Sequence, residues 1–539
     1  MPTLQETIAR QSLGTQSNLL VSTLDAVRKR TIRMGLVSIY GSKNIGYRAI
    51  SGALRQAGIH VESIFFKDLI GSESPFPTEA EYDLLINLLR DLRVNFVGLS
   101  IISSSCDKFA REITRRVHDQ LGVPVILGGP HPSLMPAEIL EYGDMVCRGE
   151  GHESIVNLVR RMEQGEIDPD VEGIWKKRDG QIIKSDPDSL LDINLMPFPD
   201  VQRDHKYFIE NGRLIAEDPF HLHPDIYSTI TSKGCQFHCT FCETNMFEEG
   251  LRLRKAGDIR QMSPDRVIAE LKNALNTGAD VRMVEFIDDE FSYNEEWVAE
   301  WSEKYKKEIN LPFWCMFHPH SVNGNIIKML RHAGLYFVSM GLQSGSEKIR
   351  RKILGRPEND DDFRQSLSLI HSVGVIPKVD VMFDNPYDTD EEKRNAIEFF
   401  LSLQRPFHPR MVSLCYFPKT KLTERALRDG FITPDQVEGP AQKAFTQLVL
   451  SPDYPRPKKE LFYILLTSLT GCRFFPKSFI RWLMNNETYF MEKPKLMLFF
   501  AHVAHMAGVV EKGWQLLMRG GLTLSLMRNY VKYLFKVSA

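Results

Sequence analysis

The chain has 539 residues, 67 Lys+Arg against 69 Asp+Glu, 43% hydrophobic and 25% charged residues. These values exclude a disordered, collagen-like or disulfide-scaffold protein and set a soft expectation of three to four domains. The formal charge of -2 argues against a dedicated nucleic-acid binder.

The first thirty residues read as a helical extension (1–32) that ends in Arg28-Lys29-Arg30. They carry Glu6 and Arg10 and no apolar core, so they do not form a secretory signal and the expected location is cytoplasmic. From Met34 a strand–helix alternation begins. Apolar runs at 34–40, 60–66, 94–102, 123–129 and 144–150 predict five strands, and helices are expected over Arg48–Ala57 and Asp107–Gln120. Continuous apolar runs alternating with helices predict a doubly wound parallel sheet over 33–165. Ligands of such sheets bind at the carboxyl ends of the strands. The loops expected there are small and polar: Gly41 to Gly46 with Lys43, Asn44 and the adjoining Tyr47, then Ser103 and Ser104, Gly128-Gly129-Pro130-His131, and Arg148-Gly149-Glu150.

Residues 166–222 hold Pro169, Pro187, Pro197 and Pro199 and read as a linker with a hairpin at Asp179-Gly180. A second series follows over 223–435. Strands are expected at 226–232, 283–289, 313–318, 335–342, 377–383 and 410–417, with helices such as Pro264–Thr277 and Glu295–Glu308 between them. Six such units suit a partial or full barrel, with its chemistry at the C-terminal strand ends. Residues 436–539 read as a helical C-terminal region. From Lys458 onward it holds twelve Lys/Arg against four Glu, a local +8, interleaved with aromatic residues. One reading is a helical cap with a solvated basic face; another is a peripheral, lipid-facing surface. No nucleic-acid reading module is recognisable. The uncharged stretch Leu496–Val510 is too short to span a bilayer.

Eight cysteines are too few for a disulfide framework, yet Cys235, Cys239 and Cys242 fall within eight residues, on the loop after the first strand of the second series. The spacing is C-x3-C-x2-C. Three thiolates could hold three corners of a [4Fe–4S] cluster and leave one iron open. A zinc site completed by His238 competes, although His238 adjoins Cys239 and sits poorly for joint tetrahedral ligation. Scattered structural cysteines are the third reading. Gly234 permits a tight loop, and Phe241 can shield the site.

This loop resembles the signature of radical S-adenosylmethionine enzymes. Phe286-Ile-Asp288-Asp289-Glu290-Phe291 is similar to their second-strand motif, and Gly341-Leu-Gln343-Ser344-Gly345 to the fourth-strand motif near the ribose and carboxylate, where Glu is usual in place of Gln343. Asp384, in Phe383-Asp-Asn-Pro-Tyr387, stands where relatives carry Gly-Leu-Pro-Gly, and Phe417-Pro-Lys-Thr420 replaces Pro-Gly-Thr. The 33–165 sheet resembles the cobalamin-binding domain of one large subfamily, through Leu127-Gly-Gly-Pro-His131-Pro132 and Val146-Cys-Arg148-Gly149-Glu150-Gly151. In other cobalamin proteins the first loop reads Asp-x-His-x-x-Gly and the His ligates cobalt. Here it reads Gly41-x-Lys43-x-x-Gly46, and a lysine ammonium has no lone pair for a metal. His131 is a rival ligand.

The resemblance implies an α/β chain: a Rossmann-like cobalamin-binding sheet, a radical-type partial (β/α)6 barrel and a helical C-terminal region. It implies a [4Fe–4S] cluster on Cys235, Cys239 and Cys242, with S-adenosylmethionine contacts from Asp288, Asp289, Gln343, Ser344, Asp384 and Phe241. It implies cobalamin held without a protein histidine by the loops around Gly41, Lys43, Asn44, Gly46, Tyr47, Ser103, Ser104, Gly128, Gly129, His131, Arg148, Gly149 and Glu150. The activity it implies is methylation of an unactivated carbon through a 5′-deoxyadenosyl radical and methylcobalamin. Oxidative cyclisation or rearrangement, as in anaerobic Mg-protoporphyrin ester cyclase-like relatives, is the alternative; a non-catalytic cobalamin- or lipid-binding protein is the alternative of another class. A small-molecule or lipid-like substrate, an external electron donor such as flavodoxin or ferredoxin, and peripheral membrane contact through the tail are the expected partners.

Overall fold

The computed structural model describes residues 31–68, 76–187, 189–244, 258–291, 294–438 and 456–518. The expected N-terminal helical extension and the end of the basic tail lie outside the described residues. The chain divides into two units. The first is built chiefly on residues up to Pro224 and the second chiefly on those from Asp225 onward.

In the first unit the apolar runs become β1 (Arg33–Ile39), β2 (His60–Phe66), β3 (Phe96–Ser100), β4 (Val125–Gly128) and β5 (Met145–Cys147). β1 and β2 are buried at six of seven positions, which is why their sequences are nearly unbroken apolar runs. The stretch expected to be a linker is instead built into the same sheet. It supplies β6 (Ile174–Arg178), β7 (Gln181–Ile183), β8 (Lys206–Glu210) and β9 (Arg213–Ile215). The strand order is β7-β6-β5-β4-β3-β1-β2-β8-β9. β1 to β5 and β8 run parallel, and antiparallel hairpins close both edges. The hairpin expected at Asp179-Gly180 is the β6–β7 turn, where both residues take positive φ. The chain reverses direction on either side of β1, so the crevice between the ends of β1 and β3 is the switch point where such sheets hold ligands.

The second unit winds six parallel strands in sequence order: β10 (Ile226–Thr229), β13 (Met283–Phe286), β14 (Phe313–Phe317), β15 (Leu335–Gln343), β16 (Pro377–Phe383) and β17 (His408–Ser413). The intervening β11 (Ser232–Lys233) and β12 (Arg260–Gln261) form a separate antiparallel pair. This is the expected partial barrel. β13 ends at Phe286, three residues short of expectation, because the chain leaves the ladder before Asp288. Phe286, Phe291, Trp301, Tyr305 and Phe313 pack edge to face behind it. The C-terminal region is helical, over Lys458–Thr470, Lys477–Asn485, Glu487–Met491 and Pro494–Met518. The first of these buries Phe462 through Leu466. Among the described residues no helix is long and apolar enough to cross a membrane.

Candidate functional site

The cysteine loop leaves β11 through Gly234, whose φ of +101° suits glycine. Two sets of contacts fix it. On the β13 side, one oxygen of the fully buried Asp288 accepts from Thr231 N and Oγ1, both at 2.8 Å, and from Ser232 Oγ at 2.7 Å. Burial pushes this carboxyl up to about 6 against those hydrogen bonds. Its other oxygen is buried without a hydrogen-bond partner. The equally buried Glu290 accepts from Gln236 Nε2 at 3.2 Å and from Ser321 Oγ.

On the other side the loop is held by residues after β15. Thr240 N donates to Leu354 O at 3.0 Å and Thr240 Oγ1 to Ile353 O at 2.7 Å. The buried Arg356 donates from Nη1 to Cys239 Sγ at 3.7 Å, from Nη2 to Gly341 O at 2.6 Å and from Nε to Glu358 Oε1 at 2.6 Å. Phe237 stacks on His318, with centroids 3.5 Å apart. Phe241 packs against Ile349, Leu354, Leu414 and Leu422 and so puts apolar cover beside Cys242.

Burial, with the nearby charges of Glu290, Asp289 and Cys239, pushes the Cys235 thiol up to about 12. Burial raises Cys239 to about 11, although Arg356 opposes it. Among the described residues no trio that includes these cysteines brings its ligand atoms within 4.8 Å. Ligands of one zinc ion at ~2.3 Å lie roughly 3.8 Å apart, so the spacing does not suit a zinc ion. His238, which a zinc site would need as its fourth ligand, is exposed.

The other strand-end residues divide. Asp289 is exposed, with its charge felt at Cys235. Gln343 takes a φ of +71° at a bulge where β15 and β16 shift register, and a Cβ on Gly341 would lie 2.7 Å from its Nε2. Ser344 is buried, and its Oγ accepts from Ser346 N at 3.1 Å. Asp384 is bound by protein groups: Arg456 Nε at 2.9 Å and Ser413 Oγ. Arg356, Glu358, Glu290 and Gln236 belong to the cysteine surroundings, although spacing did not single them out; the Gly355-Arg356-Pro357-Glu358 turn was the available signal.

In the first unit the predicted loops do meet along the C-terminal ends of β1, β3, β4 and β5. Asn44 caps the helix Ile45–Gln56 by accepting from Tyr47 N at 3.0 Å and donates across the switch point to Ser100 Oγ at 3.1 Å. Gly41 and Gly46 bracket the exposed Lys43. Ser103 Oγ accepts from Ser105 N, while Ser104 Oγ is buried with no hydrogen-bond partner. Gly129, at φ +113°, follows Gly128 and passes so close to β3 that a Cβ would sit 2.5 Å from Ile101 O. Ser133 Oγ ties Gly129 O to Gly149 N, and Glu150 stands at the N-cap position of the helix Gly151–Glu163 with no side-chain cap hydrogen bond.

Two predicted residues are committed elsewhere. Tyr47 is buried, and its hydroxyl donates to Leu36 O at 2.7 Å, so it serves the sheet. Arg148 donates to Ser133 O, pairs with Asp186 and lies over Trp175. His131 is buried, 3.6 Å from Asp107 Oδ1. Burial would raise the Asp107 carboxyl, but hydrogen bonds from His131, Arg111 and Tyr142 hold it at about 2. The orphaned Ser104 hydroxyl, the small loops at the switch point and the lack of an imidazole in the β1 loop fit a cobalamin bound without histidine.

Comparison with known proteins finds a family model for each unit. The B12 binding domain model matches residues 37–159, and the Radical SAM superfamily model matches residues 229–400. The chain is 23% identical over 357 residues to an uncharacterized methyltransferase of Pyrococcus horikoshii, across 65% of this chain and 72% of that one. It is 21% identical over 335 residues to the anaerobic magnesium-protoporphyrin IX monomethyl ester cyclase of Rubrivivax gelatinosus, across 60% of this chain and 56% of that one. Its fold matches that of OxsB, a cobalamin-dependent S-adenosylmethionine radical enzyme solved with aqua-cobalamin and S-adenosylmethionine. The TM-score is 0.61 at 15% identity, across 94% of this chain and 83% of that one. A radical S-adenosylmethionine domain implies a [4Fe–4S] cluster and S-adenosylmethionine, and a B12-binding domain implies cobalamin. With both domains present in this order, the chain belongs to the cobalamin-dependent radical S-adenosylmethionine enzymes.

Proposed function

We propose that this enzyme transfers a methyl group to an unactivated carbon of a small or lipid-like molecule, with electrons from an external donor of the flavodoxin or ferredoxin kind. The observation that carries the reading is the pairing, in one chain, of a three-thiol loop with a B12-type crevice whose first loop offers Lys43 where a cobalt-ligating histidine would stand. When bound, the cluster with S-adenosylmethionine supplies hydrogen-atom abstraction and cobalamin supplies methyl transfer. The protein's part is positioning and exclusion of water. Cys235, Cys239 and Cys242 hold the cluster. Asp288 and Arg356 fix their loop from opposite sides, and Phe241 covers it with apolar surface. The Gln343 bulge and Asp289 stand at the ends of β15 and β13, on either side of β14, where S-adenosylmethionine contacts are expected. The methyltransferase of Pyrococcus horikoshii supports this reading.

The similarity to the Rubrivivax cyclase favours a second reading, oxidative cyclisation or rearrangement without methyl transfer. Mass spectrometry of metabolites and lipids from host cells with and without the gene separates the two. Methylation predicts a product heavier by one CH2, and both S-adenosylhomocysteine and 5′-deoxyadenosine in anaerobic assays of that substrate. Deoxyadenosine without S-adenosylhomocysteine would favour the second reading. Phe474, in the turn before Lys477–Asn485, and Trp482, Tyr489 and Phe499 on the C-terminal helices are exposed, which supports contact with a lipid surface. Co-sedimentation with anionic vesicles, reduced several-fold by Phe474→Ser with Trp482→Ser, is the expected result; equal sedimentation of both proteins would exclude this contact.

A further inference from the structure

At the N-terminal end of the first sheet, opposite the crevice where its loops meet, three ligand-type side chains converge. His60 opens β2, and Glu62 follows two residues later on the same face of the strand. β8 runs parallel beside β2, and His205 immediately precedes it. His205 takes a φ of +57°, and its carbonyl accepts from Ser63 N at 2.9 Å, so its backbone is fixed to β2. The resulting distances are short: His60 Nε2 to Glu62 Oε1 2.8 Å, and His205 Nδ1 to Glu62 Oε1 and Oε2 3.2 and 3.1 Å. One ligand atom from each residue lies within 4.8 Å of the other two, the only such trio among the described residues. The Glu62 carboxylate is buried, with 4% of its side chain exposed, while the imidazoles keep 31% and 43% of theirs.

We propose that His60, Glu62 and His205 bind a divalent transition-metal ion of the zinc class. Two imidazoles and one carboxylate are a donor set suited to such ions, and at metal–ligand distances of ~2.0–2.2 Å tetrahedral ligands stand roughly 3.3–3.6 Å apart. The observed nitrogen–oxygen separations of 2.8–3.2 Å are somewhat shorter than that spacing, so a small outward movement of the two partly exposed rings admits the ion. The exposed imidazole edges leave a path for the ion and room for water to complete its shell. β2 has seven residues, so at ~3.3 Å per residue the site lies about 20 Å from the loops at the other end of the strand. The ion is therefore remote from the crevice at the carboxyl ends of the first sheet's strands. It acts as a clamp that fastens β8, from the segment that resembles a linker in sequence, onto the core of the sheet.

The probe is zinc alone, added to the full chain after chelator treatment in a Cys235→Ser, Cys239→Ser, Cys242→Ser background, which removes competing thiols. Titration against a chromophoric chelator should find one zinc per chain. His60→Ala and His205→Ala, each changing a partly exposed ring, should weaken binding at least tenfold, as should Glu62→Gln. Zinc should raise the thermal midpoint of the parent protein and leave that of the His60→Ala protein unmoved. X-ray absorption should show nitrogen and oxygen ligands only. No retained zinc, or zinc bound equally well by both histidine variants, would overturn the proposal. Because the cysteines are absent, either outcome leaves the assignment of the cluster untouched.

Discussion

At Arg356 one guanidinium serves three partners: the buried Glu358 carboxylate, the Gly341 carbonyl and the Cys239 sulfur. Arg356→Ala removes the closest partner of the buried Glu358 and leaves it His318 at 3.3 Å and Arg350 at 4.0 Å, so the cost should fall below the ~3–5 kcal/mol of a fully broken buried pair. Denaturant unfolding should show that loss, and reconstituted protein should hold less iron. Arg356→Lys should recover part of the stability, since an ammonium cannot reproduce the fork. Asp107 gives a pH-dependent prediction. Its carboxyl is held at about 2 in the fold, below its ordinary 3.8, so its contribution is fully present above pH 3.8 and is lost as pH falls towards 2. Thermal unfolding should lose about 1–2 kcal/mol through that window, and Asp107→Asn should flatten the loss. The cysteines and Asp288 were legible because spacing and strand ends mark them. Arg356 and Glu358 were not, because a buried ion pair between two helices leaves no periodic trace. Tyr47 was misread from its place beside a loop: in the fold its ring enters the sheet's interior.

Among the elements, the segment that follows β15 does the most to shape the cysteine loop. Gly355 takes a φ of +67°, and a Cβ there would meet Thr240 Cγ2 at 2.9 Å and His238 O at 3.2 Å. Gly355→Ala should therefore destabilise by about 1–2 kcal/mol and lower iron retention, measured by unfolding and metal analysis. The β1 loop gives the opposite expectation. Lys43 is exposed, and Lys43→Ala should leave the visible spectrum of the bound corrinoid unchanged; a changed lower-ligand signature would refute binding without a protein ligand. The strands β1 to β5 were legible because parallel strands buried on both faces must be apolar throughout. β6 to β9 were not: three- and five-residue strands flanked by prolines carry too little pattern, and their place in the sheet comes from pairing with β5 and β2 rather than from local propensity.

At the scale of the molecule, the near-neutral net charge of -2 concealed a basic C-terminal region, and the sparse cysteine count concealed one loop with three cysteines. Domain order was readable because each unit repeats a strand–helix period and ends its strands in a distinctive loop. The substrate was not readable, since its contacts carry no spacing rule. The central claim is that this one chain holds a three-cysteine iron–sulfur cluster together with cobalamin. Its most direct measurement is the iron and cobalt content of full-length protein reconstituted anaerobically with hydroxocobalamin, iron and sulfide, alongside Cys239→Ala. The wild-type chain should carry about four irons and about one cobalt, and the variant should lose the iron and keep the cobalt. Iron unchanged in Cys239→Ala, or wild-type protein that retains no cobalt, would contradict it.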